Sequence, residues 1–301
     1  MNIVLSADES YARYGAVVMA SIIDNAVDPS QVRFFMLTPD MGEETKHRLH
    51  AFVEDSGAGI DIIDVDVQTL KGLKVGRFGP AALLRLLMHR YLPDDCARVI
   101  YLDCDVLVRS DLSALWAMPL HGHAAAAAMD ICNTSISATR PNPDDYFNSG
   151  VMLIDLAAWR SRHVGERALA YLEQNGDNAW YPDQDALNHV LAKDCYQLPP
   201  EWNFQPTAYR AVKRHYPHLY KHQASLETAV RDPRIVHFIG AVKPWHPTCV
   251  HPFQEDFIAY SSHTPWPIDR KTLMSSLSWP ERMRRVLKQL KVRRRRRLTA
   301  S

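Results

Sequence analysis

The sequence has no paired cysteines, no long apolar run and no internal repeat, and each absence removes a class of protein. Its five cysteines (Cys96, Cys104, Cys132, Cys195 and Cys249) are odd in number and widely spaced, and no C-x-x-C occurs. This suggests neither a thiolate zinc cluster nor a disulfide framework, and reads as free thiols in a reducing cytosol. No stretch approaches the roughly 18 consecutive apolar residues of a membrane-spanning helix. The opening "MNIVLSADES" lacks a basic region and a long apolar core, so it does not read as a secretory signal. The expectation is a cytoplasmic protein.

Charge is balanced overall but not locally. The formal total is +1, yet ten Lys or Arg and no acid lie between Arg282 and Arg297, so the rest of the chain carries −9. What is present is an ordinary globular composition, 47% hydrophobic and 23% charged over 301 residues. That length suits one large α/β domain or two small ones.

Short β-rich segments alternate with helical ones. "NIVLSA", "VRFFMLT", "IDIIDVD" and "RVIYLDCDVLV" read as strands. Between them, "YARYGAVVMASIIDNA", "GEETKHRLHAFVEDSG" and "PAALLRLLMHRYLP" read as helices, the last bounded by prolines. The alternation predicts an α/β fold with a mostly parallel sheet flanked by helices. Ligands of such sheets bind beyond the carboxyl ends of the strands. Asp8 lies just past the first strand, Asp103 and Asp105 at the end of the fourth, and Asp130 after "AAAAAM", a further strand. "YFNSGVMLIDLAAW" reads as a turn running into a strand, and "DQDALNHVL" as a helix start. "RIVHFIGAVKPWH" reads as a short strand leading into a loop. From about residue 261 Ser, Pro and Trp break the pattern, so a domain over residues 1–260 and a tail over 261–301 are expected.

Two carboxylates inside an apolar segment need a reason. In an extended strand, residues i and i+2 share a side, so Asp103 and Asp105 are expected to converge with Cys104 turned away. Like charges there repel and resist desolvation, and a divalent cation removes both costs. A D-x-D alone also fits a pair of solvated loop acids or a turn cap. "VHFIGAVKPWH" supplies His237 as a third ligand, three residues before Gly240, with Lys243 three beyond that. Two carboxylates and an imidazole favour Mn²⁺, with Mg²⁺ the alternative, and substrate diphosphate oxygens suit the remaining positions.

The motifs "LSADESY", "ALLRLL", "VIYLDCDVLV", "YFNSGVMLIDLAAW", "YPDQDALN", "WNFQPT" and "HFIGAVKPWH" stand in the order of glycosyltransferase family 8, and the chain resembles its bacterial lipooligosaccharide galactosyltransferases over roughly residues 2–257. The resemblance implies a GT-A fold, a UDP-hexose donor, Mn²⁺ and transfer with retention of anomeric configuration. It assigns Asp103, Asp105 and His237 as metal ligands, Ala7 and Asp8 to the uridine, and Gly240 and Lys243 to the diphosphate. Arg85 is assigned to the donor site, though a structural ion pair also explains an arginine there. Asp130, Asn148 and Gly150 are assigned to the donor sugar, although an Asn so near a Gly is also what a turn looks like. Asp183 and Gln184 are assigned beside the anomeric carbon, with a helix N-cap the other reading of Asp183 and a cap or first-turn acid that of Asp185. An amide is a poor nucleophile, so front-face transfer is expected rather than a double displacement. Two departures, Ser10 for the Asn of relatives and "FGPAALLR" before the metal strand, leave galactose against glucose open.

The last segment, "WPERMRRVLKQLKVRRRRR", places Met283, Val286, Leu287 and Leu290 on one stripe of a basic helix. Such a helix suits an anionic membrane surface and a lipid-linked oligosaccharide acceptor at the inner leaflet. Nucleic acid is not expected, since no recognised nucleic-acid module accompanies the arginines. The alternatives are transfer to a protein or another glycan, and, in a different class, a non-catalytic sugar-nucleotide- or nucleic-acid-binding protein.

Overall fold

A computed structural model describes residues 1–73, 79–131, 146–215 and 217–297. Phe78 and Cys132 lie outside the described residues, as do the last four residues of the tail.

The strands are β1 (Asn2–Ser6), β2 (Arg33–Thr38), β3 (Gly59–Asp64), β4 (Arg98–Leu102), β5 (Val106–Val108), β6 (Ala125–Met129), β7 (Phe147–Asp155), β8 (Cys195–Gln197) and β9 (Ile235–His237). The first helices are α1 (Ala12–Asn25), α2 (Glu43–Asp55), α3 (Leu84–Tyr91), α4 (Ser113–Trp116), α5 (Leu156–Ser161) and α6 (Val164–Asn175). They are followed by α7 (Pro182–Val190), α8 (Ala208–Arg214), α9 (Gln223–Arg231), α10 (Gln254–Ser261), α11 (Arg270–Ser275) and α12 (Trp279–Arg297).

Seven strands form one sheet in the order β3-β2-β1-β4-β7-β6-β8, and β5 pairs with β9 in a second, two-stranded sheet. Every neighbouring pair of the large sheet is parallel except those of β7, which runs against β4 and β6. The α/β sheet flanked by helices is therefore as expected. Both faces are covered, which is why the inner strands are apolar at every position rather than alternately. Ile3 and Leu5 face one core with Met19 and Ile22 of α1 and Leu49 of α2. Val4 faces another, with Leu84 and Leu87 of α3 and Leu169 of α6. A third core joins β5 and β9 to α8, α9 and α10 through Leu107, Val236, Ala208, Leu226 and Phe257.

Two local expectations are corrected. "RVIYLDCDVLV" is not one strand: β4 stops at Leu102, the chain turns at Asp103–Asp105, and β5 starts in the other sheet. The break exists because Phe238 donates its N–H to the Asp105 carbonyl at 2.9 Å and β9 pairs antiparallel with β5, which pulls the chain out of the large sheet. Asn148 and Gly150 do not form a turn, since both lie within β7, where the Gly150 carbonyl accepts the Asp103 N–H just past β4.

At the far end, Ser278 and Glu281 cap α12: the Ser278 N–H donates to Glu281 Oε2 at 2.9 Å and its hydroxyl at 2.6 Å. Leu277 is buried just before it. Among the described residues, no helix is long and apolar enough to cross a membrane.

Candidate active site

Strand direction decides which residues meet. Parallel β1, β4 and β6 end at one edge of the sheet, which places Ala7 and Asp8, Asp103, and Asp130 there. Because β7 is antiparallel, its beginning lies at that same edge and contributes Asn148, Ser149 and Gly150. The second sheet brings Asp105 and His237 alongside, with the Asp103 N–H anchored on the Gly150 carbonyl at 2.8 Å.

Asp103, Asp105 and His237 each offer a ligand atom within 4.8 Å of the others, an arrangement that could hold a metal ion. They converge through a turn, not through i, i+2 strand spacing, while Cys104 points inward with its thiol on the Ser6 carbonyl at 3.3 Å. Burial, reinforced by Asp103 and Asp105, pushes the Cys104 thiol well up, so it stays protonated and inert.

His237 is aimed by a chain of amides. Its Nδ1 donates to Asn203 Oδ1 at 3.0 Å, which turns Nε2 toward Asp105 Oδ1, 3.2 Å away. Asn203, fully buried, donates to Asn148 Oδ1 at 2.9 Å, and Asn148 donates to Gln184 Oε1 at 3.1 Å. Gln184 in turn donates to Asp130 Oδ2 at 2.8 Å. The imidazole and the amide of α7 are thus held by one continuous network.

Gly150 makes room for this cluster. A Cβ there would lie 2.3 Å from His237 Cε1 and 2.5 Å from Asp103 Oδ2, closer than any real contact. The donor set therefore fits a divalent cation: two carboxylates, an oriented imidazole, and a backbone wall with no side chain.

Charges around the acids are matched. Burial works to keep Asp105 neutral, but the Lys243 ammonium, on its Oδ2, and His237 outweigh it and hold the carboxyl well below its usual range. Arg85, buried on α3, bonds Asp103 Oδ1 at 2.6 Å, pairs with Asp183 at 3.2 Å and donates to the Ser149 carbonyl at 2.9 Å. Burial opposes the Arg85 charge, and Asp103 and Asp183 overcome it and raise its pKa. Burial raises the pKa of Asp183, with Arg85 only partly opposing.

These contacts settle several alternatives. Arg85 is in a structural ion pair and at the site at once. Lys243 is no free surface charge, since its Nζ also donates to the Phe238 carbonyl at 3.0 Å. Asp183 is not a helix cap, whereas Asp185 accepts the N–H groups of Trp180 and Tyr181 ahead of α7 at 2.9 and 3.1 Å. Asp8 closes the turn into α1 by accepting from the Tyr11 N–H at 2.9 Å and from the Ser10 hydroxyl at 2.7 Å. Gly240 sits at φ +91°, a left-handed conformation that favours glycine.

Sequence reasoning gave no role to Asn203, Ser149, Tyr101 or Tyr11. Asn203 stood inside the quoted "WNFQPT" and Ser149 inside "YFNSG", but nothing in either motif says which metal ligand or arginine they will face. The Tyr101 hydroxyl lies 3.2 Å from Asp103, and Tyr11 presents a 40% exposed ring beside Tyr14 and Trp245.

An acid-lined edge of a GT-A sheet, with a cation cradle and a lysine beside it, defines a glycosyltransferase architecture. The chain belongs to glycosyl transferase family 8, which matches residues 2–249. It is 30% identical over 273 residues to General stress protein A of Bacillus subtilis, covering 88% of this chain and 94% of that protein. It is 26% identical to a lipopolysaccharide 1,2-glucosyltransferase of Escherichia coli, covering 91% of this chain and 82% of that one. A crystal structure of an active-site mutant of LgtC superposes with a TM-score of 0.80 at 27% identity, covering 90% of this chain and 98% of LgtC. LgtC has also been solved as a galactosyltransferase with donor and acceptor sugar analogs, and that structure matches with a TM-score of 0.76. The protein is a family 8 glycosyltransferase related to enzymes that build lipopolysaccharide.

Proposed function

We propose that this glycosyltransferase moves a hexose, galactose or glucose, from a UDP-sugar to a lipopolysaccharide or lipooligosaccharide core with retention of configuration. The observation that carries the reading is the Asp103, Asp105 and His237 cradle opened by Gly150 and flanked by Lys243. Mixed oxygen and nitrogen donors suit Mn²⁺ better than Mg²⁺. A cation held there would neutralise the diphosphate as a Lewis acid. In this reading Lys243 leaves Asp105 for the diphosphate and takes up charge as UDP departs. Asp8 and the backbone at Ala7 meet the uridine, with the Tyr11 ring beside them, and Gly240 lets the loop close over the phosphates.

Arg85, Asp130, Asn148, Gly150, Asp183 and Gln184 would bind and orient the sugar. Gln184 is tied by Asn148, Ser149 and Asp130, and Asp183 by Arg85 and the Ser149 hydroxyl. Side chains so engaged are poor nucleophiles, which favours front-face transfer. The acceptor hydroxyl then forms its bond to the anomeric carbon as the bond to UDP breaks, and its proton passes to a diphosphate oxygen. A covalent sugar adduct trapped on Gln184 or Asp183 would overturn this step.

The exposed Met283, Val286, Leu287 and Leu290 of α12 support docking on anionic lipid at the inner leaflet, near a lipid-linked acceptor. A protein or other glycan as acceptor is the second reading. UDP release from UDP-galactose, UDP-glucose and their N-acetyl forms, with and without Mn²⁺, tests the whole proposal. Turnover should require the metal and fall about 10³-fold or more in Asp103→Asn or Asp105→Asn, with folding retained. Metal-independent turnover, or binding with no turnover of any donor, would refute it.

A further inference from the structure

The side of α12 opposite its apolar stripe reaches the Lys243 loop. Arg285 is only 6% exposed, while Met283, Val286, Leu287 and Leu290 are 44–59% exposed. At about 100° per residue, Arg285 projects roughly 150° from the centre of that stripe. Its Nη2 donates to Gln254 Oε1 on α10 at 2.8 Å. Gln254, itself 1% exposed, directs its Nε2 at two backbone carbonyls of the loop, Pro244 at 2.8 Å and His246 at 3.2 Å. The His246 N–H closes the same turn on the Lys243 carbonyl at 2.9 Å.

Stability does not explain the arginine. Its hydrogen-bond partner is a neutral amide, its Nη1 has no partner among the described residues, and the neighbouring Glu255 is engaged by Arg270 at 2.8 Å. A buried guanidinium left partly unsatisfied costs free energy. What it does accomplish is to fix which way the Gln254 amide points, and so to hold the turn from which Lys243 reaches Asp105.

We infer that Arg285 is a positioning residue for the Lys243 loop, acting through Gln254. The inference rests on the reading of Lys243 as the diphosphate-facing cation. It makes the basic helix part of the donor site, and leaves the apolar stripe on the other face free for lipid.

Donor hydrolysis by the full chain tests it, with Arg285→Ala, Arg285→Lys, Gln254→Glu and, as a control on the exposed side of α12, Trp279→Ala. Gln254→Glu keeps an acceptor for Arg285 but sets a carboxylate against the two carbonyls, so it cuts only the loop side. Arg285→Ala and Gln254→Glu should each raise the donor KM about tenfold, with less change in kcat, and the double variant should be no worse than either alone. Arg285→Lys should recover part of the loss, Trp279→Ala should match wild type in donor kinetics, and binding to anionic vesicles should be unchanged in Arg285→Ala and Gln254→Glu. If Arg285→Ala fails to fold, Gln254→Glu carries the test. An unchanged donor KM in Gln254→Glu, or losses that add, overturns the inference even if melting temperatures fall. Lys243→Ala separates the two readings. Unaltered donor kinetics in that variant would reject the role of Lys243, whereas impaired kinetics there with normal Gln254→Glu would reject only the strut.

Discussion

At the scale of single residues, the site is governed by what is absent from one position and what is aimed at another. Gly150 contributes only space, and Asn203 contributes only direction. In Gly150→Ala the new methyl collides with His237 and Asp103, so Mn²⁺ binding should be lost, with the circular dichroism of the fold retained. Asn203→Ala removes no ligand, yet it frees the His237 ring and takes one donor from Asn148 Oδ1. Metal affinity should fall about 10–100-fold, as is usual when the outer partner of a ligating histidine is removed. Calorimetric titration with Mn²⁺ separates the two, and an unchanged affinity in Asn203→Ala would show that the amide chain does not orient the imidazole.

At the scale of elements, β7 and α12 matter most. Reversal of β7 within an otherwise parallel sheet brings the start of a strand to the edge where the others end, and with it Asn148, Ser149 and Gly150. The helix α12 has two distinct faces, one holding Arg285 against the body and one exposing apolar side chains. If the exposed face meets lipid, Met283→Glu with Leu287→Glu should abolish flotation with anionic vesicles and leave UDP release intact. Each basic residue near such a surface contributes roughly 1 kcal/mol, so high salt should weaken binding as well. Vesicle binding that survives both substitutions would mean the arginines act without insertion.

At the scale of the whole molecule, stability should depend on pH through a group to which the proposed chemistry gives no role. Burial lowers the pKa of His251 from 6.5 to about 3, so it stays neutral in the folded chain while the unfolded chain takes up a proton. The stability it secures is complete above pH 6.5 and is lost as pH falls from there toward 3, at up to about 1.4 kcal/mol per pH unit. His251→Gln, which keeps an acceptor for the Phe253 N–H, should flatten the decline of the urea midpoint between pH 6.5 and 4.5. An equal slope in the variant would assign the acid sensitivity elsewhere.

Much of this was written in the chain itself. The alternation of apolar and helical segments determined an α/β sheet, because period-2 and period-3.6 patterns are local properties of side chains along the backbone. Asp103, Asp105, His237 and Lys243 could be picked out from residue type and motif order alone. Tertiary structure decided how they meet. Pairing of β5 with β9 broke the apparent long strand into two and turned Asp103 and Asp105 together, and no local pattern encodes a partner about 130 residues away. It also decided the tasks of Asn203, Gly150 and Arg285. A buried amide, a missing Cβ and a guanidinium on a basic tail take their meaning only from what lies across the fold, and only packing brings those groups within reach.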